Sequence, residues 1–257
     1  MREINRRAAL ITGASRRIGI GAAVCRALAA RGMNVFFTTW RAYDQTMPWG
    51  EDAASPALLA EELRALGARC AYLEADLSQP ETPAKIMDAA EAAPGGISVL
   101  VNNATYSVNG GWQELDAAAL DAHYAVNMRG AFMLSVEFAR RFRGGDGGRI
   151  INLTSGQGLG PMPDELAYAA TKGAVEAFTV SLAAGLARKC ITVNAVDPGP
   201  TDTGWMSDDL KAWVLEHSPQ GRLGQPEDAA RLIAFLAGED AGWITGQVIH
   251  ANGGFRP

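Results

Sequence analysis

The sequence contains few of the residues from which disulfide frameworks and metal sites are built. Among its 257 residues there are only three cysteines and three histidines. Cys25, Cys70 and Cys190 are odd in number and far apart, so we interpret them as reduced, mostly buried thiols. The histidines are equally scattered and lack the spacing of metal ligands. The composition therefore disfavours a disulfide-stapled fold, and it predicts no metal site.

The sequence also lacks a long apolar run and an excess of positive charge. No run approaches the roughly 20 apolar residues of a transmembrane helix, and residues 1–7 lead into a strand rather than a secretory signal. The formal net charge is −5, which disfavours binding to nucleic acid or to an anionic membrane. We therefore expect a soluble, cytoplasmic protein with neither kind of partner.

What the chain does contain is a regular alternation of strand-like and helix-like segments. Hydrophobic residues make up 48% of the sequence, which is enough for one substantial core. The alternation predicts a doubly wound α/β fold in one domain, residues 1–257, with a seven-stranded parallel sheet and helices on both faces. The two longest predicted helices, 116–142 and 164–187, suit contacts between subunits. The predicted strands are 8–12, 34–39, 69–74, 98–101, 149–153, 191–196 and 247–250.

A glycine-rich turn follows the first predicted strand and opens the first predicted helix. Residues 12–21 read Thr-Gly-Ala-Ser-Arg-Arg-Ile-Gly-Ile-Gly. Glycines let such a turn approach a pyrophosphate, and the helix N-terminus offers free N–H groups to phosphates. We predict a dinucleotide site with Gly13, Gly19, Ile20 and Gly21; a turn without ligand is the alternative. Five residues separate Gly13 from Gly19, which we interpret as a turn longer than a Gly-x-x-x-Gly-x-Gly pattern.

Three arginines near this turn favour a cofactor with an extra phosphate. Arg16 and Arg17 lie in the turn, and Arg41 follows the second strand, which ends at Thr39 without an acidic residue. A carboxylate there would bind the ribose of NAD and repel a 2′-phosphate, whereas guanidinium groups bind phosphate. The sequence thus favours NADP(H), and Asp44 keeps NAD(H) open. A solvated surface patch is the alternative for these arginines.

Tyr168 and Lys172 are candidate catalytic residues because they lie four positions apart in a predicted helix. At that spacing both side chains share one face. The Lys172 cation would favour the Tyr168 phenolate and lower its pKa towards neutrality, as suits a residue that exchanges protons. Ser155 follows the fifth predicted strand, and Asn127 interrupts a long predicted helix. Taken alone, the tyrosine–lysine spacing also fits an ordinary solvated pair.

Further residues follow other predicted strands, at the edge where open α/β sheets bind ligands. They are Asp76 and Leu77 after the third strand, Asn103 and Ala104 after the fourth, and Pro198, Gly199, Thr201 and Thr203 after the sixth. Loop 40–57 is long and rich in aromatic residues. It could cover the adenine end of a cofactor, contact another subunit or pack on itself.

The ordered set of motifs resembles the short-chain dehydrogenase/reductase family over essentially the whole chain. The resemblance implies a Rossmann fold and an NAD(P)-dependent oxidoreductase, and the turn and tail look most similar to 3-oxoacyl-carrier-protein reductases. Thr105 replaces a common glycine, and His250-Ala-Asn-Gly-Gly replaces Val-Asp-Gly-Gly. The matching residues are Thr12-Gly13 with Gly19 and Gly21, Asp76, Asn102-Asn103-Ala104, Asn127, Ser155, Tyr168 with Lys172, Pro198-Gly199 and the motifs at 221–230 and 244–247.

The resemblance also implies a role for each catalytic candidate. Tyr168 would protonate the developing alkoxide, and Ser155 would hold the carbonyl oxygen. Lys172 would lower the pKa of Tyr168 and hold the nicotinamide ribose, and Asn127 would position a water. Segment 200–221 would be a mobile lid over an apolar or acyl-bearing substrate. The residues expected to bind the cofactor are Gly13, Arg16, Arg17, Gly19, Ile20, Gly21, Thr39, Arg41, Asp76, Leu77, Asn103, Ala104, Tyr168, Lys172, Pro198, Gly199, Thr201 and Thr203.

The resulting hypothesis is an NADPH-dependent carbonyl reductase that forms a homotetramer or homodimer and acts on a small molecule, with 3-oxoacyl thioesters as one candidate. An NAD(P)-dependent dehydrogenase of a sugar, steroid-like or other secondary alcohol is the first alternative. The second is a sensing or scaffold protein that binds NADP(H) without turnover. Asp164 and Glu165 are interpreted as surface charges.

Overall fold

The computed structural model describes residues 7–92, 96–144 and 147–256; the predicted lack of a signal at 1–7 falls almost wholly outside them. Strands and helices alternate through most of this part of the chain. The strands are β1 (Ala8–Ile11), β2 (Asn34–Thr39), β3 (Cys70–Glu74), β4 (Ile97–Asn102), β5 (Gly148–Leu153), β6 (Ile191–Asp197) and β7 (Val248–His250). The α-helices are α1 (Ile20–Ala30), α2 (Arg41–Gln45), α3 (Ser55–Ala65), α4 (Thr82–Glu91), α5 (Ala117–His123), α6 (Ala131–Arg141), α7 (Leu166–Leu186), α8 (Asp208–His217) and α9 (Pro226–Leu236).

The strands form one sheet in the order β3-β2-β1-β4-β5-β6-β7, and each neighbouring pair is parallel. β1 lies in the middle of the sheet. β2 and β3 follow on one side of it, and β4 to β7 follow on the other side. The strand order therefore reverses beside β1, where doubly wound sheets bind ligands. The predicted doubly wound α/β fold is confirmed.

Side chains alternate along the strands and pack into two apolar cores, one on each face of the sheet. Phe37 of β2 packs into the core that includes Leu28 of α1 and Ile233 of α9. Its neighbour Phe36 points to the other face, into the core with Leu134 of α6. Burying such a side chain contributes about 1.5–3 kcal/mol. Both faces are covered, which explains why the central strands read as continuous apolar runs.

The long helix predicted at 116–142 is interrupted in the structure. α5 begins after Asp116, whose Oδ1 accepts a hydrogen bond from the Ala119 N–H at 2.8 Å. Residues Tyr124–Gly130 then form a π-helical segment before α6. Such wide turns are frequent at functional sites, and this one contains Asn127.

Three sequence expectations, on thiols, membrane-spanning helices and metal sites, can be compared with the structure. Cys25 is buried and Cys70 partly buried, but Cys190 is exposed, so the thiols are less uniformly buried than we expected. Of the helices in the described ranges, none has the length and apolar character to span a bilayer. The described residues also contain no cluster of three or more side chains suited to hold a metal ion.

Candidate active site

A cavity of about 1000 Å³ follows the carboxyl ends of the strands. Its wall is built from the segments after β1 to β6, the edge at which open α/β sheets bind ligands. Ser155 also lies on this wall. The wall includes these residues predicted to bind a cofactor: Gly13, Arg16, Gly19, Ile20, Gly21, Thr39, Asp76, Leu77, Asn103, Ala104, Tyr168, Pro198, Gly199, Thr201 and Thr203.

The turns after β1 and β4 are packed directly against each other. Gly13 has φ +71°, and a Cβ atom there would lie 2.6 Å from the Cα of Ala104. A Cβ atom on Gly21 would lie 2.6 Å from the carbonyl oxygen of Gly13. Asn103 Nδ2 donates to the carbonyl oxygens of Thr12 and Gly13, both at 2.9 Å. Both positions require glycine, and the bare backbone beside the helix N-terminus fits a dinucleotide phosphate.

This turn has the ordinary length, so our interpretation of a lengthened turn is wrong. Gly13 and Gly19 lie six positions apart, as do the first and last glycines of Gly-x-x-x-Gly-x-Gly. The helix α1 begins at Ile20 with Gly19 as its N-cap. Arg17 therefore takes the place of the middle glycine. Its backbone is unstrained, because Cys190 alone has a positive φ among the described residues other than glycine.

Arg16 lies on the cavity wall, held between two elements of that wall. Its guanidinium carbon is 4.3 Å from the ring centroid of Trp49, and Nη2 donates to the carbonyl oxygen of Thr203. Burial lowers the pKa of Arg16, although a guanidinium keeps its charge at any physiological pH. Arg16 therefore presents a fixed positive charge beside the glycine turn.

Arg17 and Arg41 point to other partners. The Arg17 guanidinium forms a salt bridge with Glu62, and Arg41 Nη2 lies 2.6 Å from Glu74 Oε2. Neither arginine lines the cavity described above. The prediction grouped three arginines by sequence position. In the folded chain, however, Arg17 and Arg41 pair with carboxylates on α3 and β3. Arg16 is thus the member of the three that can meet a cofactor in this arrangement.

Loop 40–57 folds back onto the cavity wall. Tyr43 Oη donates to the carbonyl oxygen of Ser107 at 3.1 Å. Trp49 Nε1 donates to Asp44 Oδ1 at 3.0 Å. Asp44 is buried, and burial raises its pKa. The sequence left open whether this loop covers a cofactor, contacts another subunit or packs on itself. In the structure it packs against the cavity wall near Arg16.

The turn after β3 contributes Asp76 and Leu77. Asp76 Oδ1 accepts from the Ser78 N–H at 2.8 Å, which fixes its carboxylate at the cavity. Gly130 of the π-helical segment packs closely behind, since a Cβ atom on it would lie 2.6 Å from the Leu77 carbonyl oxygen. The two segments are therefore positioned by direct backbone contact.

The turn after β6 is held from both sides. Asp197 is buried, and its Oδ1 accepts from the Gly199 N–H at 2.9 Å. Its Oδ2 lies 2.9 Å from Nδ1 of His250, the residue that departs from the usual tail. A Cβ atom on Gly199 would lie 2.5 Å from the Cβ of Asn252. The unusual His250 thus supports the turn that carries Pro198.

Ser155, Tyr168 and Lys172 lie together at the start of α7. Ser155 lies close enough to Tyr168 to lower the pKa of its phenol. Lys172 is buried, and its Nζ is 5.4 Å from the centroid of the Tyr168 ring. Nζ donates to the carbonyl oxygen of Leu153 at 2.8 Å. The ammonium therefore faces the ring of the phenol and is anchored to the end of β5.

The pKa of Tyr168 differs from the sequence-based expectation. Burial raises the pKa of this phenol, and the nearby Ser155 offsets only part of that rise. Burial also lowers the pKa of Lys172 from 10.5 to about 8. The prediction considered the helical spacing alone, whereas desolvation of both groups dominates here. At neutral pH Tyr168 is accordingly a protonated phenol.

Asn127 joins the π-helical segment to two neighbouring elements. Its Oδ1 accepts from the Tyr106 N–H at 2.7 Å and from Thr105 Oγ1 at 3.1 Å. Its Nδ2 donates to the Tyr106 carbonyl oxygen at 2.9 Å and to Thr171 Oγ1 at 3.1 Å. Thr105, which replaces a common glycine, is therefore part of this network. Asn127 fixes the segment after β4 against α7 beside Tyr168.

One cavity residue was misassigned from the sequence. Glu165 was interpreted as a surface charge, but it is partly buried and lines the cavity. It lies three positions before Tyr168 at the start of α7, so helical spacing alone could have indicated that the two share a face. The cavity near Tyr168 also has aromatic and thioether side chains, namely Tyr106, Met162, Trp205, Met206 and Trp213.

Comparison with known proteins agrees with this geometry. A family model described as enoyl-(acyl carrier protein) reductase matches residues 13–256. The uncharacterized oxidoreductase YjdA of Bacillus subtilis (strain 168) is 51% identical over 249 residues, which cover 96% of each chain. The short-chain dehydrogenase/reductase of Serratia marcescens BCRC 10948 superposes with TM-score 0.86 and 32% identity over 97% of each chain.

A further solved structure is a blue fluorescent protein from a metagenomic library in complex with NADPH. It superposes with TM-score 0.85 and 32% identity over 97% of each chain. The matches thus extend over nearly the full described fold, including the glycine turn and the start of α7. On this evidence the chain belongs to the short-chain dehydrogenase/reductase family and is an NAD(P)-dependent oxidoreductase.

Proposed function

We propose that this enzyme reduces the carbonyl group of a small molecule to a secondary alcohol with NADPH as its cofactor. The observation that carries the proposal is the phenol of Tyr168, which lies with Ser155 on the wall of a cavity of about 1000 Å³. Beside them lies a glycine turn whose bare backbone fits a dinucleotide. This combination supports carbonyl chemistry next to a bound nicotinamide.

The cofactor, when bound, supplies the hydride; the side chains supply orientation and the proton. Ser155 donates a hydrogen bond to the carbonyl oxygen and so stabilises the negative charge that develops there. Tyr168 then transfers its phenolic proton to that oxygen, which leaves an alcohol and a phenolate. The nearby Lys172 ammonium stabilises the phenolate until solvent reprotonates it.

The raised pKa of Tyr168 favours this direction over alcohol oxidation. Reduction needs a phenol that holds its proton, whereas oxidation needs a phenolate that accepts one. Because the pKa of this phenol is raised and not lowered, the phenol is the form present at neutral pH. The alternative is NAD-dependent oxidation of a secondary alcohol. The buried Asp44 beside Arg16 would support this alternative if its carboxylate bound the ribose of NAD.

The assignment of NADPH is supported by the position of Arg16 and by the absence of a carboxylate at the end of β2, Thr39. A guanidinium at the cavity wall can form charge-assisted hydrogen bonds with a 2′-phosphate. Arg17 provides a matched control in the same turn, because its side chain is paired with Glu62 outside the cavity.

We therefore expect Arg16→Ala to weaken NADPH binding by about tenfold or more, with a smaller effect on NADH. Arg17→Ala should change the affinities for the two cofactors by similar factors. The measurement is a parallel fluorescence titration of wild type and both variants with NADPH and NADH. An equal loss for both cofactors in Arg16→Ala, or tighter binding of NADH by wild type, would contradict the 2′-phosphate assignment.

The same purified protein tests the reaction itself. With the tighter cofactor, we expect turnover of ketones. The screen should include neutral aryl ketones and also 3-oxoacyl thioesters, the substrates that the tail motif suggests. Tight NADPH binding without turnover of any carbonyl compound would instead favour the sensing or scaffold alternative.

We also propose that the enzyme is cytoplasmic and assembles into a homotetramer or homodimer through α5, α6 and α7. Phe132 of α6 stacks on Phe178 of α7 with ring centroids 3.8 Å apart, so these two helices contact each other side by side. Met133 and Val180 on the same helices are 40% and 52% exposed. Light scattering after gel filtration should give two or four times the chain mass of 27.1 kDa; a monomer at micromolar concentration would contradict the assembly.

A further inference from the structure

Glu165 is a partly buried carboxylate on the cavity wall that the proposed reaction does not use. Within the described parts of the chain, its carboxylate oxygens form no hydrogen bond or ion pair with another residue. It is the residue before α7, but its side chain accepts no capping hydrogen bond from the first turn of that helix. Neither a salt bridge nor helix capping therefore explains why a carboxylate lies here.

The electrostatic surroundings leave this charge uncompensated. Burial raises the pKa of Glu165, and the neighbouring Asp164 raises it further; among the described residues no cation lowers it. Arg16 is the guanidinium on the described cavity wall, and its contacts are with Trp49 and Thr203. A carboxylate that loses part of its hydration without gaining a donor is destabilised. A ligand that brings a positive charge to Glu165 would recover that cost.

The rest of the cavity wall also suits a cation on an apolar body. The polypeptide segment before Tyr168 is held against the loop after β4, because the Gly110 N–H donates to the Asp164 carbonyl oxygen at 2.7 Å. Aromatic rings of Tyr106, Trp205 and Trp213 line the same cavity. Faces of such rings attract cations and pack against apolar groups.

We propose that Glu165 selects carbonyl substrates that carry a protonated amino group on an apolar or aromatic body. The inference rests on the proposed carbonyl reduction and narrows its substrate class. Glu165 lies one helical turn before Tyr168, so an ammonium bound to its carboxylate places the rest of the molecule beside the phenol that donates the proton. The same carboxylate disfavours acyl thioesters whose carriers bear phosphate groups, since like charges repel.

The test uses pairs of ketones that differ in charge but hardly in shape. One member of each pair is 3- or 4-(aminomethyl)acetophenone, and the other is the corresponding ethylacetophenone, in which a methyl group replaces the ammonium. For wild type we expect the ammonium member to have a kcat/KM about tenfold higher. In Glu165→Gln this ratio should fall to about one, because a neutral amide keeps the shape of the side chain but loses its charge.

Asp164→Asn is the matched control. It removes the same charge from the adjacent residue, which is exposed and lies off the cavity wall. The preference for the ammonium ketone should persist in this variant. Equal loss of preference in both variants would indicate a general surface potential and would overturn the role of Glu165, as would a wild-type preference for the ethyl ketones.

A binding measurement separates this inference from the proposed reaction. Benzylammonium should quench the tryptophan fluorescence of wild type, because Trp205 and Trp213 line the cavity, and it should bind Glu165→Gln about tenfold more weakly. If no ketone is turned over but this difference holds, the proposed reaction fails and the specificity of Glu165 stands. Equal binding of benzylammonium by both proteins would overturn the inference whether or not ketones are reduced.

Discussion

Replacing Tyr168 by phenylalanine is expected to lower kcat for carbonyl reduction by about 10²–10⁴-fold, while the affinity for NADPH stays nearly the same. The substitution removes the hydroxyl that would donate the proton and leaves the ring. The contact of Lys172 with that ring, at 5.4 Å from the centroid, does not require the hydroxyl. Because phenylalanine keeps the ring and its packing, the fold and the cofactor turn should persist.

The measurements are the initial rate of NADPH oxidation with a saturating ketone and a parallel NADPH titration. Tyr72→Phe is the matched control, because it removes a phenol from an exposed position on β3 where the ring stacks on Phe37 at 5.1 Å. That control should retain the wild-type rate. A rate for Tyr168→Phe within a few-fold of wild type would mean that another group donates the proton, and the proposed mechanism would then be wrong.

Much of this fold is predictable because parallel strands covered on both faces read as apolar runs. Strand β2, at Asn34–Thr39, has the predicted bounds, and all six of its residues are buried. The interruption of the 116–142 helix was not predicted. Gly130, at the end of this wide turn, packs so closely on Leu77 that a Cβ atom would lie 2.6 Å from the Leu77 carbonyl oxygen. That contact joins residues that are distant in sequence.

The site divides in the same way between local and distant effects. Helical spacing brings Tyr168 and Lys172 to one face, as the sequence indicated. The partners of Arg17 and Arg41 could not be read from the sequence, since Glu62 and Glu74 belong to elements that reach these arginines only in the folded chain.

The direction of the Tyr168 pKa was missed for a related reason. Sequence spacing reports the neighbouring charge but not the burial by the cavity wall, and here burial is the larger effect. Glu165 was missed although local spacing places it one turn before Tyr168. In the sequence alone, a carboxylate with no identifiable partner cannot be distinguished from an ordinary solvated charge. The cavity that surrounds Glu165 is known only from the folded structure.

Replacing Lys172 by methionine should lower activity and at the same time change how stability depends on pH. Lys172 is 4% exposed, and burial lowers its pKa from 10.5 to about 8. Methionine fills a similar volume without a charge. We expect kcat to fall by about 10²-fold or more, because the cation that stabilises the Tyr168 phenolate is lost. The wild-type advantage in rate should shrink as the pH rises through about 8, where Lys172 itself loses its proton.

The effect on stability follows from the lowered pKa. Below pH 8 the lysine is charged in both states, and the folded state bears the cost of burying that charge. Between pH 8 and 10.5 the unfolded chain binds more protons at this residue than the folded chain, so wild-type stability rises with pH. The total gain is about 3 kcal/mol, and it should be absent from Lys172→Met.

The measurement is urea unfolding of both proteins at several pH values from 7 to above 10.5, compared as a difference so that other titrating groups cancel. Lys189→Met is the matched control, since Lys189 is exposed and its Nζ also donates to a backbone carbonyl oxygen, that of Ala139, at 3.0 Å. The difference in free energy of unfolding between Lys189→Met and wild type should stay nearly constant over this pH range. If the difference for Lys172→Met is equally constant, the ammonium is not held at an energetic cost. That outcome would mean that burial does not lower the pKa of the Lys172 cation beside Tyr168.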